Sequence, residues 1–343
     1  MKNKIKFIKT DDNSTGLFSS DVNDIFHSKT GALTEANQKF IEPIKRFIKN
    51  KTNISVLDLC YGIGYNSKAL LQEFHNKEIK IDAFEFNNEY VLISPFIKDC
   101  INDYELKLFL LKEVVNSISL KSYIEILNEY TKGNEEFFDA SISFMSNFNS
   151  KTPYRNIVVA QNNSNLHNIY YNYISNSMMH TVDDSKYNNI SIKFHIGDAR
   201  HKIDNLDNKY DVVFLDAFSS QKDPTLWTID FISKVKQKMN NDSLLITYSK
   251  STPFRSALLQ LGFCVGKTFI NDIDMGTVAS LNKNNILNFL SDFDIQLIKT
   301  RSGIVYRDSE YSLSSTDILK NRENEQKNSK LISHTQFLKN YHK

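Results

Sequence analysis

Four acids and two glycines stand where a chain of alternating strands and helices could use them together. The run YDVVFLDAFSSQKDPTLWT, Tyr210 to Thr228, sets the pattern. Val212 to Leu215 is continuously apolar and partly β-branched, which reads as a strand buried on both faces, and it ends on one carboxylate, Asp216. Asp223-Pro224 predicts a helix start, with an amphipathic helix over Thr225 to Met239. Ligands of open α/β sheets bind beyond the carboxyl ends of the strands. An acid followed by Phe218, Ser219, Ser220 and Lys222 is therefore placed to meet one. Taken alone, a carboxylate that merely caps the loop accounts for Asp216 equally well.

DLCYGIG, Asp58 to Gly64, closes another apolar run. Glycines at a strand-to-helix turn let backbone approach a ligand, and the helix start offers unpaired N–H groups. Cys60 stands at the first position of the dinucleotide fingerprint and no third glycine follows, so a pyrophosphate fits poorly. S-adenosylmethionine, without a phosphate, fits better: its sulfonium and carboxylate suit a strand-end acid, Asp58, and helix amides at Gly62 and Gly64. An ordinary tight turn is the rival reading. Glu85 lies roughly twenty residues beyond the turn, where an acid accepts from both ribose hydroxyls; its rival is a solvated surface charge. Gly197-Asp198 ends a third strand, where a carboxylate can accept from the adenine amine. Phe218 could flank a base or an amine, and Lys222 could meet a phosphate.

In the N-terminal arm, Thr10, Asp12, Asn13 and Ser14 are accounted for as turn formers. His27 reads as a packing residue. Glu35 is either a helix surface charge or a contact to a ligand's amino-acid end.

The elements that must position these residues follow from periodicity. Ile54 to Leu59 is a strand, Tyr65 to Phe74 a helix, and Ile79 to Phe86 a strand followed by loop residues Asn87 and Asn88. Tyr90 to Asn189 loses the pattern. Tyr104 to Tyr130 reads as helical and Asn156 to Ala160 as its one candidate strand, so a helical insertion over about 90–189 is expected. Ile190 to Ile196, Tyr210 to Asp216 and Leu244 to Tyr248 resume the sheet, with a helix over Pro253 to Leu261. Phe263 to Ile270 and Gly276 to Leu281 read as a closing antiparallel pair. Ser315 or Thr316 should cap a helix over Ile318 to Lys330. The expected organisation is an arm over 1–50, an α/β domain over 51–285 and a helical tail over 286–343. Seven strands with a final hairpin match a class I methyltransferase sheet, Rossmann-like, with one nucleotide-binding half rather than two.

At 343 residues the chain can bury a large core. A net charge of +2 neither demands nor excludes nucleic acid. Three separated cysteines make a disulfide framework or zinc cluster unexpected, and no metal site is read. No apolar run reaches signal-peptide or membrane-span length, so a cytoplasmic protein is expected.

The chain resembles the MnmC-type tRNA 5-methylaminomethyl-2-thiouridine methyltransferase domain. The resemblance runs collinearly through the arm TDDNSTGLFSSDVNDIFHSKTGALTEANQKF, the turn DLCYGIGYNS, the strand end GDAR, and FLDAFSSQKDPTLWT. It continues through TPFRSALLQLGF, GTVAS and the tail IVYRDSEYSLSSTDILKNRE. Departures are Cys60 and Ala217 where the family usually has glycine, Ser219-Ser220 for a more usual Ala/Ser-Pro, and a longer insertion. The resemblance implies methyl transfer from S-adenosylmethionine to the aminomethyl nitrogen of a modified wobble uridine in tRNA. Some members carry a fused flavin-dependent oxidase domain. Without a second glycine-rich fingerprint, methylation alone is expected here.

An alkylamine is protonated near neutral pH and attacks only as its lone-pair form, so Asp216 could hold the ammonium and help remove its proton. Lysines and arginines of the insertion, and Arg200 to Lys202, are candidates for phosphate contacts. Two other classes stay open: another amine-directed S-adenosyl-sulfonium enzyme (an aminopropyltransferase or small-amine methyltransferase), and a catalytically silent binding module.

Overall fold

The computed structural model describes residues 6–20, 23–26, 30–101, 103–117, 126, 129–130, 133–138 and 186–341. Ten strands lie among them: β1 (Lys6–Lys9), β2 (Thr15–Ser19), β3 (Asp24–Ile25), β4 (Asn53–Leu59), β5 (Glu78–Glu85), β6 (Ile190–Ile196), β7 (Tyr210–Leu215), β8 (Met239–Thr247), β9 (Cys264–Ile270) and β10 (Ile273–Ser280). The main sheet has seven strands in the order β6-β5-β4-β7-β8-β10-β9. β5 pairs parallel with β6, and β4 and β8 pair parallel with β7. β10 runs antiparallel to both β8 and β9. This is the class I methyltransferase sheet expected from the strand pattern. No helix among the described residues is long and apolar enough to cross a membrane.

The chain forms two compact units. The first comprises Met1–Ala36 and Tyr61–Ile196. Its arm is an antiparallel sheet in the order β1-β2-β3, followed by the short helix α1 (Ala32–Ala36). α3 (Tyr65–Phe74) starts directly after Gly64, as its apolar spacing predicts. It is fastened from both sides. The Tyr65 hydroxyl exchanges two hydrogen bonds with the Thr15 backbone, and the fully buried Lys68 ammonium pairs with Asp99 at 2.9 Å. After β5, Asn87 caps α4 (Asn88–Ile93), so Asn88 is helical rather than a loop residue: the Asn87 side chain accepts from the Glu89 N–H and starts the helix at once. The helix expected from Tyr104 is α5 (Tyr104–Ser117). Asn156 to Ala160 and His27 lie outside the described residues.

The second unit comprises Asn37–Cys60 and Gly197–Lys343. α2 (Glu42–Ile48) precedes β4; α6 (Ala199–Lys202) follows the residue pair Gly197-Asp198. Val212, Val213, Phe214 and Leu215 of β7 are all completely buried, as a doubly covered central strand requires. The helix expected over Thr225 to Met239 is split. A single 3₁₀ turn covers Thr225–Trp227, and α7 (Ile229–Gln237) begins at Thr228, whose extended backbone and hydroxyl cap the Phe231 N–H. Met239 already belongs to β8, whose polar start, Asn240 to Asp242, hides it from an apolar count. α8 (Thr252–Gln260) and the β9–β10 pair follow as expected. Segment 286–290 lies along the outer side of β9, with Lys267 N–H donating to the Asn288 carbonyl. A Cβ on Gly266 would sit 2.5 Å from that carbonyl oxygen, so only glycine admits this approach. α9 (Asp292–Ile298), α10 (Ser315–Asn328) and α11 (His334–Tyr341) complete the unit. Ser314, not Ser315 or Thr316, caps α10, because its hydroxyl accepts from the Asp317 N–H one turn further on.

Candidate active site

In the first unit the glycine turn is held from every direction. Gly62 and Gly64 take φ of +58° and +83°. A Cβ on Gly64 would lie 2.3 Å from the Tyr61 hydroxyl, so the turn closes only on glycine there. Glu85, at the tip of β5 and buried, accepts from Gly62 N–H at 2.8 Å through Oε2 and from Asn87 N–H at 2.9 Å through Oε1. Ser94 donates to the Ile63 carbonyl at 2.8 Å, and Tyr61 N–H donates to the Phe84 carbonyl at the same distance. Sequence put Glu85 at the tip of the second strand as a ribose contact or a solvated surface charge; it is buried. In the structure its carboxylate fastens the turn.

The arm contributes Phe26, whose ring would touch a Cβ on Gly62 at 3.5 Å and which meets Tyr90 edge to face. The polar cluster before it is a structural knot. The Asp12 carboxylate accepts from the Thr10 hydroxyl, Ser14 N–H, and both the N–H and hydroxyl of Thr34. Burial alone would raise its pKa, but those donors hold it at about 2. Turn chemistry accounts for the contacts within Thr10 to Ser14, and Asp12 reaches beyond the turn to Thr34 on α1. Glu35 stands half-buried on α1, its N–H bonded to the Gly31 carbonyl.

In the second unit Asp58 is fully buried on β4 opposite Phe214 of β7. Cys60, just beyond β4, has φ of +70°, the left-handed region that a side chain resists. Half-buried Asp216 lies one residue past β7, and its N–H donates to the Leu59 carbonyl at 3.2 Å. The loop after it is fixed through its carbonyls: Tyr248 hydroxyl donates to Ala217 at 2.7 Å and the Trp227 indole N–H to Phe218 at 2.7 Å. Trp227 is completely buried and meets Phe254 edge to face. Asp223 accepts from the Thr225 hydroxyl at 2.6 Å and from the Ser315 hydroxyl at 2.8 Å. Phe218 is half-buried and Lys222 exposed. Sequence reasoning found Asp216 but missed Tyr248, Trp227 and Ser315 as its loop's supports. An indole shortly after a strand end was the one available signal.

Asp198 caps α6 through the Arg200 N–H and receives the Arg200 guanidinium in a fork, with Nη2 to Oδ2 at 2.7 Å. The same guanidinium reaches Asp308 at 2.8 Å and the Leu313 carbonyl at 3.0 Å. Burial works against the Asp198 charge, yet the Arg200 donors keep its carboxyl below the usual value. Arg200, expected as a phosphate contact, is instead spent inside the fold, because Asp198 and Asp308 neutralise it from two sides. Among the described residues no group of His, Cys, Asp and Glu side chains is arranged to hold a metal ion.

The sequence profile described as S-adenosyl-L-methionine-dependent methyltransferase matches residues 160–270. An uncharacterised protein of Methanocaldococcus jannaschii, MJ0670, is 31% identical over 325 residues, which is 94% of this chain and 73% of that protein. The tRNA 5-methylaminomethyl-2-thiouridine biosynthesis bifunctional protein MnmC of Campylobacter hominis is 32% identical over 92 residues, 27% of this chain and 14% of that one. The crystal structure of MnmC2 from Aquifex aeolicus superposes with a TM-score of 0.62 at 23% identity, covering 95% of this chain and 86% of that one.

Proposed function

The chain belongs to the MnmC-type S-adenosyl-L-methionine-dependent methyltransferases, in one family with MJ0670, and we propose on that premise that it methylates the aminomethyl nitrogen of a 5-aminomethyl-(2-thio)uridine at the tRNA wobble position. The observation that carries the reading is Asp216: an acid just past a buried central strand, in a loop whose next two carbonyls are pinned by side-chain donors. A loop fixed this way can present one carboxylate to an acceptor amine without reorganising.

S-adenosylmethionine supplies an electrophilic methyl group on a sulfonium. Asp58, Gly62, Gly64, Glu85 and Asp198 are the residues we assign to it. Two features support the fit. The turn before α3 holds Gly62 and Gly64 at left-handed φ without side chains, as close backbone approach to a ligand requires, and Glu85 is a buried carboxylate fastened to that turn, an acid of the type that suits a ribose diol. Asp198 suits the adenine amine only with the lone-pair capacity that Arg200 leaves, so its share of the binding is expected to be smaller than that of Glu85.

On the acceptor side, Asp216 accepts a hydrogen bond from the ammonium, orients it and takes its proton, leaving the lone pair available. Phe218 flanks the amine or its base, and Lys222, exposed on the same loop, meets a phosphate.

The test is transfer of labelled methyl groups into tRNA from cells lacking the final wobble methylation, followed by nucleoside analysis, with polyamines as competing acceptors. Label in 5-methylaminomethyl-(2-thio)uridine is the expected result. Label in polyamine alone, or in another nucleoside, overturns the assignment.

A further inference from the structure

The tail of the second unit holds a cavity of about 260 Å³ between residues 305–313 and α10, with Arg307, Ser309, Asn321 and Arg322 in its lining. Arg322 is half-buried. Its Nε donates to the Ile304 carbonyl at 2.6 Å, its Nη2 to the Ser302 carbonyl at 3.0 Å, and the guanidinium stacks on Tyr306 with 4.8 Å to the ring centroid. Those partners are neutral. Among the described residues no carboxylate comes within ion-pair distance of Arg322, although the Glu325 charge acts on it, and burial holds its pKa below the ordinary value. Arg307 is largely exposed and, among the described residues, its ion-pair partner is Glu325 at 3.7 Å. Exposed pairs of that kind are weak and readily exchanged for another anion.

The remaining acid in the lining is already neutralised. Asp308 is buried, accepts from Arg200 through Oδ2, and accepts the Ser312 and Leu313 N–H groups through Oδ1. The cavity therefore offers two guanidinium groups, a hydroxyl and an amide against one exposed glutamate. Its wall also belongs to the frame around the acceptor loop. Leu313 accepts from Arg200, and Ser315 at the start of α10 donates to Asp223 in the loop that carries Asp216.

We propose that this cavity docks a backbone phosphate of the polynucleotide acceptor, an inference that rests on the tRNA reading above. The guanidinium of Arg307 can meet a phosphate as a fork, and Arg322, its Nε and Nη2 held by carbonyls, can add Nη1 and its charge. A phosphate seated there registers the tRNA against the Asp223 end of the acceptor loop. Contacts of this kind position a nucleic acid without reading its sequence.

The experiment measures binding of undermethylated tRNA over about 50–200 mM salt to the wild type, Arg307→Ala, Arg322→Gln and Arg322→Lys, because each lost phosphate contact lowers the slope of log affinity against log salt by roughly 0.7–0.9. S-adenosylmethionine affinity and thermal unfolding are followed in parallel. Arg307→Ala, on an exposed side chain, and Arg322→Gln should each flatten the slope by about that amount and weaken tRNA binding several-fold. Arg322→Lys should restore most of the slope, and S-adenosylmethionine affinity should not move. A wild-type slope in Arg307→Ala and Arg322→Gln overturns the phosphate site while leaving the tRNA reading intact. A wild type that binds no tRNA overturns both. Tight binding of inorganic phosphate that tRNA cannot displace would mark a small-anion site and overturn the polynucleotide assignment.

Discussion

Two strand-to-helix connections in this molecule are fixed by opposite means. The turn Tyr61–Gly64 is short, and what fastens it is largely donation from its own backbone, above all Gly62 N–H to Glu85. The loop from Asp216 to Thr228 is long, and what fastens it is donation to its backbone carbonyls from Tyr248 and Trp227. The first arrangement rests mainly on backbone groups, two glycines and one acid, with Ser94 as its further side-chain support. The second depends on particular large side chains at particular places, so on the proposed reading the acceptor loop can change without altering the cofactor turn. The division of labour predicts that damage to one connection should leave the other's ligand largely unaffected.

The sharpest break should come from Asp216→Asn. Methyl transfer to tRNA is expected to fall by about 10²–10⁴-fold, the range for loss of a general base. Calorimetry should meanwhile find S-adenosylmethionine affinity within about twofold of wild type. Comparable losses in both would make Asp216 a structural acid and dissolve the contrast. Gly64→Ala is the reciprocal case. Its methyl group would lie 2.3 Å from the Tyr61 hydroxyl at a left-handed φ. We expect at least a tenfold loss of S-adenosylmethionine affinity, with stability lower by about 1–3 kcal/mol.

Trp227→Phe keeps most of the packing but removes the donor to Phe218. An unsatisfied carbonyl costs about 1–3 kcal/mol. We expect KM for tRNA to rise several-fold with S-adenosylmethionine affinity unchanged, and equal effects on both ligands would count against a loop dedicated to the acceptor. The smallest effect tests the turn's one irregular residue. Cys60→Gly relieves a side chain at φ of +70° and should raise unfolding free energy by about 1 kcal/mol in a denaturant titration. No gain would mean that the thiol's contacts offset the strain.

The same contrast explains what the sequence disclosed. The strand ends and the glycine turn were legible because their signals are local: an apolar run, an acid, glycines, then helical spacing. Asp58, Glu85, Asp198 and Asp216 all stand at or just past strand ends as expected. The loop's supports were not legible, because Tyr248 lies 31 residues beyond Ala217 and Ser315 lies 92 beyond Asp223. Arg200 was misjudged for the same reason. Its second carboxylate, Asp308, is 108 residues away, and no local pattern announces a guanidinium already spent. The split helix after Pro224 shows a subtler failure. Proline is compatible with a helix start, but Thr228 is the better cap, and one hydroxyl to a backbone N–H moved the boundary.

The bond from Ser315 to Asp223 also sets an order of events during synthesis. Ribosomes add roughly 5–20 residues per second, so the 92 positions separating donor and acceptor take about 5–18 s to translate. Over that interval β7 and the acid at its end can already be in place while the far side of the loop still lacks its hydroxyl donor. The frame around Asp216 is therefore completed only once α10 has been made, long after the strand that carries the acid.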